Sequence, residues 1–594
     1  MAEKVSGKKI FDWYHILLAV IILAQMLFVT YMFNEYKMGY HSDEIFNYGF
    51  ANSYDRKEIY IDDNGEEIYN KWLPTTVLTN YITVQEGERF AYDKVYAHAA
   101  ADINPPFQLF VLHTICSFFP NVYSKWFCFS INIVSLGISL IYIHKSVELI
   151  SKSKVAALGA VLLYGFSAGA QSVTVFLRLY ALGVMFGTAF FYYSAAIYEN
   201  INDEEKKNKY YIRLGVSLLL GAFTLHFFLP FAFAITLCYT VMYLIKRQFK
   251  VFFKYGFTCL GAVVMSIVIF PSTISHLLFS NDKLGKTMNA FPLDFQLRLF
   301  VHHLVKDIMG IETDIYRNPN ILVPTVCFIF LLCIVVPVCF LFRKENWYTS
   351  FVHIIKGWLF VTKKKAKEFS YSSFVSFFSV VFIIVVSAKT TSLYKMGVYG
   401  VRYLFIVFPI FAIFLSTFLF YIFKSLVHNW QGVYWTYTLV MLLVICFSLR
   451  NNSYTFYMLH DESGVTLNDI DNKANAIVLL SEHWMSATIA PEMGNREGYV
   501  FISSIKDIEG KDYRINNNEP VYIIVDTSYV DDVRSEINEE RNEVGDSETN
   551  VNKYRVLTQD EVISYFSDYF NTSDIIQVGR DVVFGRTLEI YRVD

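Results

Sequence analysis

Long apolar runs constrain this chain more than any other feature of its sequence. The first covers about residues 14–33, and eleven more follow at about 105–120, 122–143, 155–174, 178–198, 213–228, 230–245, 251–270, 321–342, 373–390, 403–424 and 432–449. Most of these runs are close to the length that an α-helix needs to cross a bilayer. Hydrophobic residues make up 54% of the chain, more than soluble proteins usually contain. The sequence therefore predicts a polytopic α-helical membrane protein.

Basic residues between the runs predict its topology. Lys4, Lys8 and Lys9 precede the first run, so the positive-inside rule places the N-terminus in the cytoplasm. That run is too long for a cleaved signal peptide, and we expect it to remain as an anchor. Further basic clusters, taken as cytoplasmic, lie at 145–154, 205–213, 246–250, 343–367 and 424–428. Residues 34–104, 271–320, 389–402 and the C-terminal region are then expected outside the cell.

One segment conflicts with this topology. Residues 105–143 contain two apolar runs, whereas the charge pattern requires an odd number of crossings there. Either the segment that begins at Pro105-Pro106 does not fully cross, or the basic cluster at 145–154 breaks the charge rule.

Two regions follow from the composition. Residues 1–450 are predicted to form a membrane domain of about 11–13 transmembrane helices, with a large first extracytoplasmic loop at 34–104. Residues 451–594 are predicted to form a small extracytoplasmic α/β domain. Its short apolar runs are typical of strands, residues 558–570 are typical of a helix, and 535–551 are expected to be a loop. The three strand candidates are 476–480, 521–525 and 587–591.

Several site classes lack support in the sequence. All eight cysteines lie in or beside the apolar runs, so neither a disulfide framework nor a cysteine zinc site is predicted. The C-terminal region contains no Gly-rich nucleotide fingerprint, no P-loop and no nucleophile elbow. No nucleic-acid partner is expected.

The stretch from Tyr40 to Phe50 carries two adjacent carboxylates, Asp43 and Glu44, a few residues beyond the first apolar run. Ionised groups so close to lipid need a reason. As a helix, the stretch would show an acidic face to water and bury its apolar side. The apolar side would hold Ile45, Phe46, Gly49 and Phe50, and the other side Asp43, Asn47 and Tyr48, with Glu44 at the border. The structural alternative is that Ser42 is an N-cap and the two acids are ordinary first-turn residues.

Other polar residues fall at the same predicted outer membrane face. They are Asp93, His98, Asp102, Arg178, Tyr180, His226, Lys389, Lys395, Arg402 and Tyr403. Carboxylates that face cations suit a reaction of a lipid-linked phosphate, because Arg and Lys hold the phosphate and a carboxylate takes a proton from the nucleophile. The alternatives are interfacial snorkelling for the arginines, a packed histidine for His226, and ordinary loop residues for the lysines.

Four short motifs occur in a characteristic order along residues 10–450. They are Asn104-Pro105-Pro106-Phe107 before a span, Arg178-Leu179-Tyr180 heading a span, Leu225-His226-Phe227 at an outer end, and Val401-Arg402-Tyr403 followed by Pro409. Together with the Asp-Glu pair of the first loop, they resemble the GT-C membrane glycosyltransferases of the protein mannosyltransferase and aminoarabinose transferase type (glycosyltransferase family 39 and its bacterial relatives).

The resemblance implies a polyprenyl-phosphate sugar as donor and an inverting transfer at the outer face of the plasma membrane. The acceptor would be a cell-envelope glycan, lipid or protein. Asp43 would be the general base, with Glu44 beside it. The donor-binding residues would be Arg178, Tyr180, Lys389, Lys395, Arg402 and Tyr403, and the acceptor or supporting residues Asp93, His98, Asp102, Asn104, Pro105, Pro106 and His226.

The chain also departs from this family. Many members have His where Asn104 stands, and the eukaryotic protein mannosyltransferases carry an inserted sugar-binding domain that is missing here. Some relatives use a divalent metal, but the sequence shows no clear ligand set, so a divalent metal stays open and no other cofactor is predicted.

Two other functions remain open from the sequence. A transporter would also place charges near membrane helices, but transporters tend to show internal repeats and polar sites near mid-membrane. No repeat is visible here, and the charges collect at one face. A non-catalytic component of envelope polysaccharide export is the second alternative, and it would tolerate changes at Asp43.

Overall fold

A computed structural model describes residues 13–312 and 370–593, apart from 57, 63, 201–203, 280–292, 391–396, 427–429, 451–455, 457–462, 495, 507, 529–556 and 584–585. Its helices are α1 (Trp13–Tyr36), α2 (Ser42–Asn52), α3 (Thr76–Ile82), α4 (Tyr92–Ala101), α5 (Phe107–Ser117), α6 (Lys125–Ser151), α7 (Lys154–Gly165), α8 (Ala168–Val175), α9 (Tyr180–Glu199), α10 (Glu204–Ala222), α11 (Phe228–Ile245), α12 (Phe249–Ile269), α13 (Ser272–Phe279), α14 (Leu293–Met309), α15 (Tyr371–Thr390), α16 (Phe408–Leu426), α17 (Trp430–Arg450), α18 (Ser486–Met493) and α19 (Gln559–Phe570).

Within the described residues, eight helices are long and apolar enough to cross a membrane, and the bent pair α7 and α8 can be counted as a ninth. The protein is therefore a polytopic α-helical membrane protein, as predicted. The predicted span at 321–342 lies outside the described residues. The predicted span at 213–228 corresponds in part to α10, whose first half is charged, and α10 is not among the eight.

Helix burial explains the different sequences of the spans. α9 lies at the centre, packed against α6 and α10, and most of its side chains are buried. α1 and α12 lie at the periphery and expose large apolar side chains such as Leu27 and Phe257. An exposed apolar helix face is stable only against lipid, so these faces form part of the lipid-facing surface.

The structure also bears on the conflict at residues 105–143. α5 has 11 residues, which gives a length of about 16 Å, well short of a bilayer core of about 30 Å. α6 has 27 residues and is long enough to cross. Only one of the two apolar runs therefore forms a full-length span, which supports the first of the two alternatives.

The C-terminal domain is built on a seven-stranded mixed sheet. Its strands are β1 (Trp72–Pro74), β2 (Ser463–Gly464), β3 (Asn475–Leu480), β4 (Tyr499–Ser504), β5 (Val521–Asp526), β6 (Ile575–Val583) and β7 (Arg586–Val593), in the order β1-β4-β3-β5-β7-β6-β2. β3 pairs in parallel with β4 and β5, and every residue of β3 is buried. The three predicted strands and the predicted helix are present as β3, β5, β7 and α19, whereas the predicted loop at 535–551 lies outside the described residues.

The first loop and the C-terminal domain share this sheet. β1 comes from the loop at 34–104 and pairs antiparallel with β4, with Trp72 opposite Phe501. α18, which connects β3 to β4, packs on α2 and α3. The C-terminal domain therefore rests directly on the helix that carries Asp43.

Candidate active site

A cavity of about 560 Å³ lies where the ends of several helices meet beside α2. Its lining comes from segments that are far apart in the sequence. The lining residues are Asp43, Phe46, Phe50, Glu58, Asp102, Ile103, Asn104, Arg178, Tyr180, Leu225, His226, Phe227, Pro230, His276, Val386, Thr390, Arg402, Tyr403 and Ile406. We call this space the charged cavity.

α2 is fixed at its first turn by a capping box. The N-cap is His41 and not Ser42, which the structural alternative had proposed. His41 Nδ1 accepts the backbone N–H of Asp43 at 3.1 Å, and the Glu44 carboxylate accepts the backbone N–H of His41 at 2.8 Å. Burial and the nearby cations lower the pKa of His41 to about 3, although Asp43 opposes this shift. The imidazole is therefore neutral and able to accept this bond.

The predicted faces of α2 need a correction. Asp43, Phe46 and Phe50 lie on one side and line the charged cavity, whereas Asn47 and Tyr48 are buried in the protein and do not face water. The prediction assumed a helix lying on a membrane surface with one face in water. Instead, α2 packs against α3, α5 and α18, so its polar side is covered by protein.

Asp43 lies between two arginines. An Arg402 Nη atom is 2.5 Å from the Asp43 carboxylate, and an Arg178 Nη atom donates to the Asp43 backbone carbonyl at 2.7 Å. Burial opposes ionisation of Asp43, but Arg178 and Arg402 outweigh it and hold the pKa of this carboxyl well below its ordinary value. The side chain is 30% exposed, so Asp43 is an ionised carboxylate open to the cavity.

Arg178 is positioned by the break between α8 and α9. The Leu177 N–H donates to the Glu44 carboxylate at 2.7 Å, and Asn132 donates to the Phe176 carbonyl at 2.8 Å. These bonds satisfy backbone groups that the break leaves outside a helix. Arg178 is only 8% exposed, and its Nε atom has no hydrogen-bond partner within the described part of the chain.

Arg402 belongs to a 3₁₀ segment, Gly397–Val407, that leads into α16. Pro409 is the second residue of α16, a position where the missing N–H costs no helical bond. The Arg402 guanidinium lies 5.6 Å from the centre of the Tyr403 ring, and its Nε atom also has no hydrogen-bond partner among the described residues. The two guanidinium groups therefore bring two positive charges and unused donors to one wall of the cavity.

Glu44 does not line the charged cavity. Both of its carboxylate oxygens bond to Lys37 Nζ, at 2.8 and 2.7 Å, and both side chains are fully buried. Lys37 also donates to the Phe456 carbonyl at 2.8 Å. Burial raises the pKa of Glu44 and lowers that of Lys37, while each charge stabilises the other. Glu44 thus holds α2 against Leu177 and against the segment that leads into the C-terminal domain.

Another part of the cavity wall contains carboxylates and imidazoles. Asn104 donates to the Asp102 carboxylate at 2.8 Å, and burial together with Asp102 raises the pKa of Glu58. His226 Nε2 lies 3.3 Å from His276 Nδ1, and His276 Nε2 lies 3.2 Å from the Ala100 carbonyl. Burial and His276 lower the pKa of His226 to about 4, so His226 is neutral near pH 7.

The metal that the family resemblance raised can be tested against these donors. Within the described residues, no group of three or more His, Cys, Asp or Glu side chains lies close enough to hold a metal ion. Near this wall the histidines bond to each other and to a backbone carbonyl, and the position before Pro105 is Asn104 rather than a histidine. These residues do not fit a metal site, so no metal enters the chemistry proposed below.

The remaining predicted residues lie elsewhere. Asp93 and Lys389 are exposed, and His98 is buried with its Nδ1 3.3 Å from the Phe50 carbonyl. Pro105 and Pro106 are buried ahead of α5 and do not line the cavity, and Lys395 lies outside the described residues.

Sequence reasoning missed three residues of this region. Glu58 and His276 line the cavity, but neither stands in a motif or beside an apolar run that ends at the cavity. Lys37 follows the first span directly, where a lysine at the membrane surface is ordinary. The sequence does contain a signal for this pair. Lys37 and Glu44 carry opposite charges and lie seven residues apart, on either side of one turn, so their side chains can meet.

No family model and no curated protein matches the chain. Solved structures do match over most of its length. ArnT from Cupriavidus metallidurans bound to undecaprenyl phosphate matches with 11% identity and a TM-score of 0.42, covering 97% of each chain. The archaeal oligosaccharyltransferase AglB from Archaeoglobus fulgidus, in complex with an inhibitory peptide and a dolichol-phosphate, matches with 10% identity and a TM-score of 0.42 over 87% of this chain and 70% of that one. Both of these structural neighbours are GT-C membrane glycosyltransferases.

Proposed function

We propose that this protein transfers a sugar from a polyprenyl-phosphate donor to an extracytoplasmic acceptor, with inversion at the anomeric carbon and Asp43 as the general base. The observation that carries the proposal is the arrangement of the charged cavity: a half-buried, ionised carboxylate that lines the cavity lies beside two arginines at the ends of membrane helices. A lipid-linked phosphate reaches such a site from the membrane, and the acceptor reaches it from water.

The donor phosphate is held by Arg178 and Arg402. Planar guanidinium groups bind phosphate through paired N–H donors, and both arginines have an Nε without a hydrogen-bond partner in the described part of the chain. Positive charge at this position also stabilises the phosphate as a leaving group.

The lipid tail needs an apolar path away from the phosphate. Leu225, Phe227, Pro230, Val386 and Ile406 form an apolar part of the cavity lining. They belong to α11, α15 and the segments that precede α11 and α16. Tyr403, whose ring centre is 5.3 Å from that of Phe227, lies between this apolar part and Arg402. The tail then runs along these helices while the sugar faces Asp43.

The chemical step forms one bond and breaks another at the same carbon. The acceptor hydroxyl or amine attacks C1 of the sugar on the face opposite the phosphate, and the bond from C1 to the phosphate oxygen breaks. The acceptor proton passes to Asp43, and the polyprenyl phosphate leaves with the bonding electrons and its charge facing the arginines. Attack from the opposite face inverts the configuration at C1.

Arg402 has two roles in this proposal. Without a ligand it pairs with Asp43 at 2.5 Å, which makes that carboxylate a weak base. A donor phosphate competes for the same guanidinium, because both are anions that accept its N–H groups. As Arg402 turns towards the phosphate, Asp43 loses its partner and becomes more basic, so the base is activated once the donor is bound.

The experiment compares the protein with Asp43→Asn and with Asp93→Asn, an exposed carboxylate outside the cavity. Each is incubated with a panel of radiolabelled polyprenyl-phosphate sugars and membrane extract, and release of sugar from lipid is followed. General-base loss is expected to slow transfer about 10²- to 10⁴-fold, whereas donor binding and the Asp93→Asn variant keep the parent values.

Two results would overturn the proposal. Equal turnover by the parent and Asp43→Asn would remove Asp43 from the chemistry. Movement of an intact donor across proteoliposomes, with no cleavage of any donor in the panel, would replace transfer by transport.

A further inference from the structure

A second cavity, of about 430 Å³, lies between the first loop and the C-terminal domain. One wall is α3 and the residues that follow it to Gln85, and another is the turn at Asn121 between α5 and α6. The third is the domain surface formed by Asn472, Gly494, Arg496 and Glu497. We call this space the polar groove.

The walls of the polar groove are tied to one another. The Thr75 hydroxyl donates to the Arg496 carbonyl at 2.5 Å, and the Thr79 hydroxyl donates to the Gly494 carbonyl. The Asn121 N–H donates to the Val84 carbonyl at 2.8 Å. The groove is therefore a built feature of the junction between the loop, the membrane helices and the domain, held by bonds across its walls.

Several polar side chains in the groove have no partner in the protein. Among the described residues, the carboxamides of Asn80, Asn121 and Asn472 and the hydroxyl of Thr76 bond to no other protein group, and Thr76, Asn121 and Asn472 are exposed to solvent. Each carboxamide offers two donors and an acceptor, and the hydroxyl offers one donor and two lone pairs. Four groups that can both donate and accept thus converge on one cavity.

The groove is also nearly neutral. Its arginine, Arg496, is 8% exposed and donates to the backbone carbonyls of Ile470 and Glu492, so its charge is directed into the domain. Glu497 contributes an opposite charge at the rim. The charged cavity, in contrast, has two arginines at its wall. A phosphate or an acidic polymer would find no cluster of cations in the polar groove, and a lipid would find no apolar wall.

We propose that the polar groove binds a neutral, hydroxyl-rich ligand, namely the oligosaccharide part of the acceptor. The proposal rests on the proposed glycosyl transfer. Sugar hydroxyls donate and accept at once, as do the free amides and the hydroxyl here, and the volume lies within the range of small-ligand sites.

The location links the groove to the charged cavity. Gly494 lines the groove and directly follows α18, and α18 packs on α2, which carries Asp43. α18 has 8 residues and is therefore about 12 Å long. An acceptor glycan held in the groove lies within a few sugar units of α2, so the groove selects acceptors that are longer than one sugar.

The test is direct binding to the full-length protein in detergent, measured by saturation-transfer NMR. The probes are neutral trisaccharides of glucose and of N-acetylglucosamine. The variants are Asn80→Leu and Asn472→Leu, and the matched control is Asn64→Leu in an exposed turn. The parent, Asn64→Leu and Asp43→Asn are expected to bind alike, and each groove variant is expected to raise the dissociation constant about 2- to 12-fold by losing a hydrogen bond.

Absence of saturation transfer to any probe in the parent, or equal dissociation constants in the parent and both groove variants, would overturn the proposal. Failure of the glycosyl-transfer proposal is separable, because it shows as sugar binding without donor turnover. If the groove variants bind the sugars as the parent does and donor turnover is intact, the groove proposal is rejected and the glycosyl-transfer proposal stands.

Discussion

The two sides of α2 place adjacent carboxylates in opposite environments. On the cavity side, Asp43 is 30% exposed and pairs with an arginine that a ligand can reach. On the packed side, Glu44 is fully buried, pairs with Lys37 and accepts two backbone N–H groups, those of His41 and Leu177. The Asp43 carboxylate therefore has a partner, Arg402, that a ligand can replace, whereas both oxygens of the Glu44 carboxylate are already bonded within the protein.

In the proposed mechanism, this difference separates the carboxylate that reacts from the carboxylate that positions its neighbours. A carboxylate that reacts must be reachable and must have lone pairs to spare, as Asp43 has. A carboxylate that positions must hold its neighbours, and Glu44 holds Lys37, the start of α2 and the segment before Arg178. Removal of one partner of a buried ion pair leaves an uncompensated charge, so the packed side is expected to respond through stability and the cavity side through activity.

The largest expected effect is that of Lys37→Met. It leaves the Glu44 charge buried without its cation, which is expected to lower the free energy of unfolding by about 3–5 kcal/mol. Thermal unfolding in detergent, followed by circular dichroism, measures the change. The double variant Lys37→Met/Glu44→Gln is expected to recover part of the loss, because it removes the buried charge. The recovery is incomplete because the His41 and Leu177 N–H groups bond to different oxygens of Glu44, and a carboxamide has one oxygen.

A surface ion pair provides the control. Lys94 pairs with Asp55 at 2.5 Å, but the Asp55 side chain is 64% exposed, so Lys94→Met is expected to leave the unfolding midpoint nearly unchanged. If Lys37→Met unfolds at the parent temperature while Lys94→Met behaves as expected, Glu44 is not the buried positioning group described above.

Arg402→Gln is expected to weaken the binding of a polyprenyl phosphate. The variant loses charge-assisted hydrogen bonds worth about 1.5–3 kcal/mol, or about 10- to 150-fold in the dissociation constant. It also removes one of the two cations beside Asp43, so this carboxylate repels the phosphate more strongly. Titration with undecaprenyl phosphate in nanodiscs measures the affinity, and Arg213→Gln, at an exposed position on α10, is the matched control. Equal affinity of the parent and Arg402→Gln would place the phosphate elsewhere.

Gly49→Ala tests the packed side of α2 without changing charge. A Cβ at this position would overlap the buried ring of Tyr81 on α3, so α2 and α3 would have to separate. Overpacking of this kind costs about 1–3 kcal/mol. Gly87→Ala, where a Cβ meets nothing within 4 Å, is the control. A Gly49→Ala variant as stable as Gly87→Ala would mean that Tyr81 can move aside freely.

The cavity side was accessible to sequence reasoning because of where its residues stand. Asp43 follows the first span, Arg178 precedes α9 and Arg402 precedes α16, and charged residues at the ends of apolar runs share one depth in the membrane. The depth of a residue in the membrane does not specify, however, which way its side chain points. Asp43 and Glu44 share that depth, and only the packing of α2 against α5 and α18 determines which one faces the cavity.

The long-range pairings were beyond the sequence. β1 has three residues and joins a partner strand more than 400 positions away, with Trp72 opposite Phe501. Three residues carry no periodicity from which a strand could be recognised. Lys37 likewise reaches the Phe456 carbonyl at 2.8 Å, and a contact to a backbone carbonyl leaves no trace in side-chain chemistry. Both features depend on how the C-terminal domain returns to α2.

The smallest expected effect is a shift in pH dependence, and it sharpens the comparison most directly. In the parent, Arg178 and Arg402 hold the pKa of Asp43 well below its ordinary value, so the fall of kcat/KM on the acid side, which reports the free enzyme, begins only at strongly acidic pH. Arg402→Gln removes one cation while burial still opposes ionisation. The Asp43 pKa therefore rises, by about 1–3 units for loss of a close opposite charge. Asp43 then takes up its proton at a higher pH, and the acid limb moves upwards.

Measurement of kcat/KM from pH 3 to 8 for the parent, Arg402→Gln and Arg213→Gln shows whether the acid limb, which lies below this range in the parent, enters it in the variant. Arg402→Gln is expected to move the acid limb of the pH profile, and Arg213→Gln is not, since Arg213 lies outside the cavity lining. A limb that stays in place in Arg402→Gln would show that the titrating base is not paired with this arginine. Glu58 and Asp102, which also line the cavity, would then be the carboxylates to test, because burial already raises the pKa of Glu58 and no arginine among the cavity-lining residues is bonded to either.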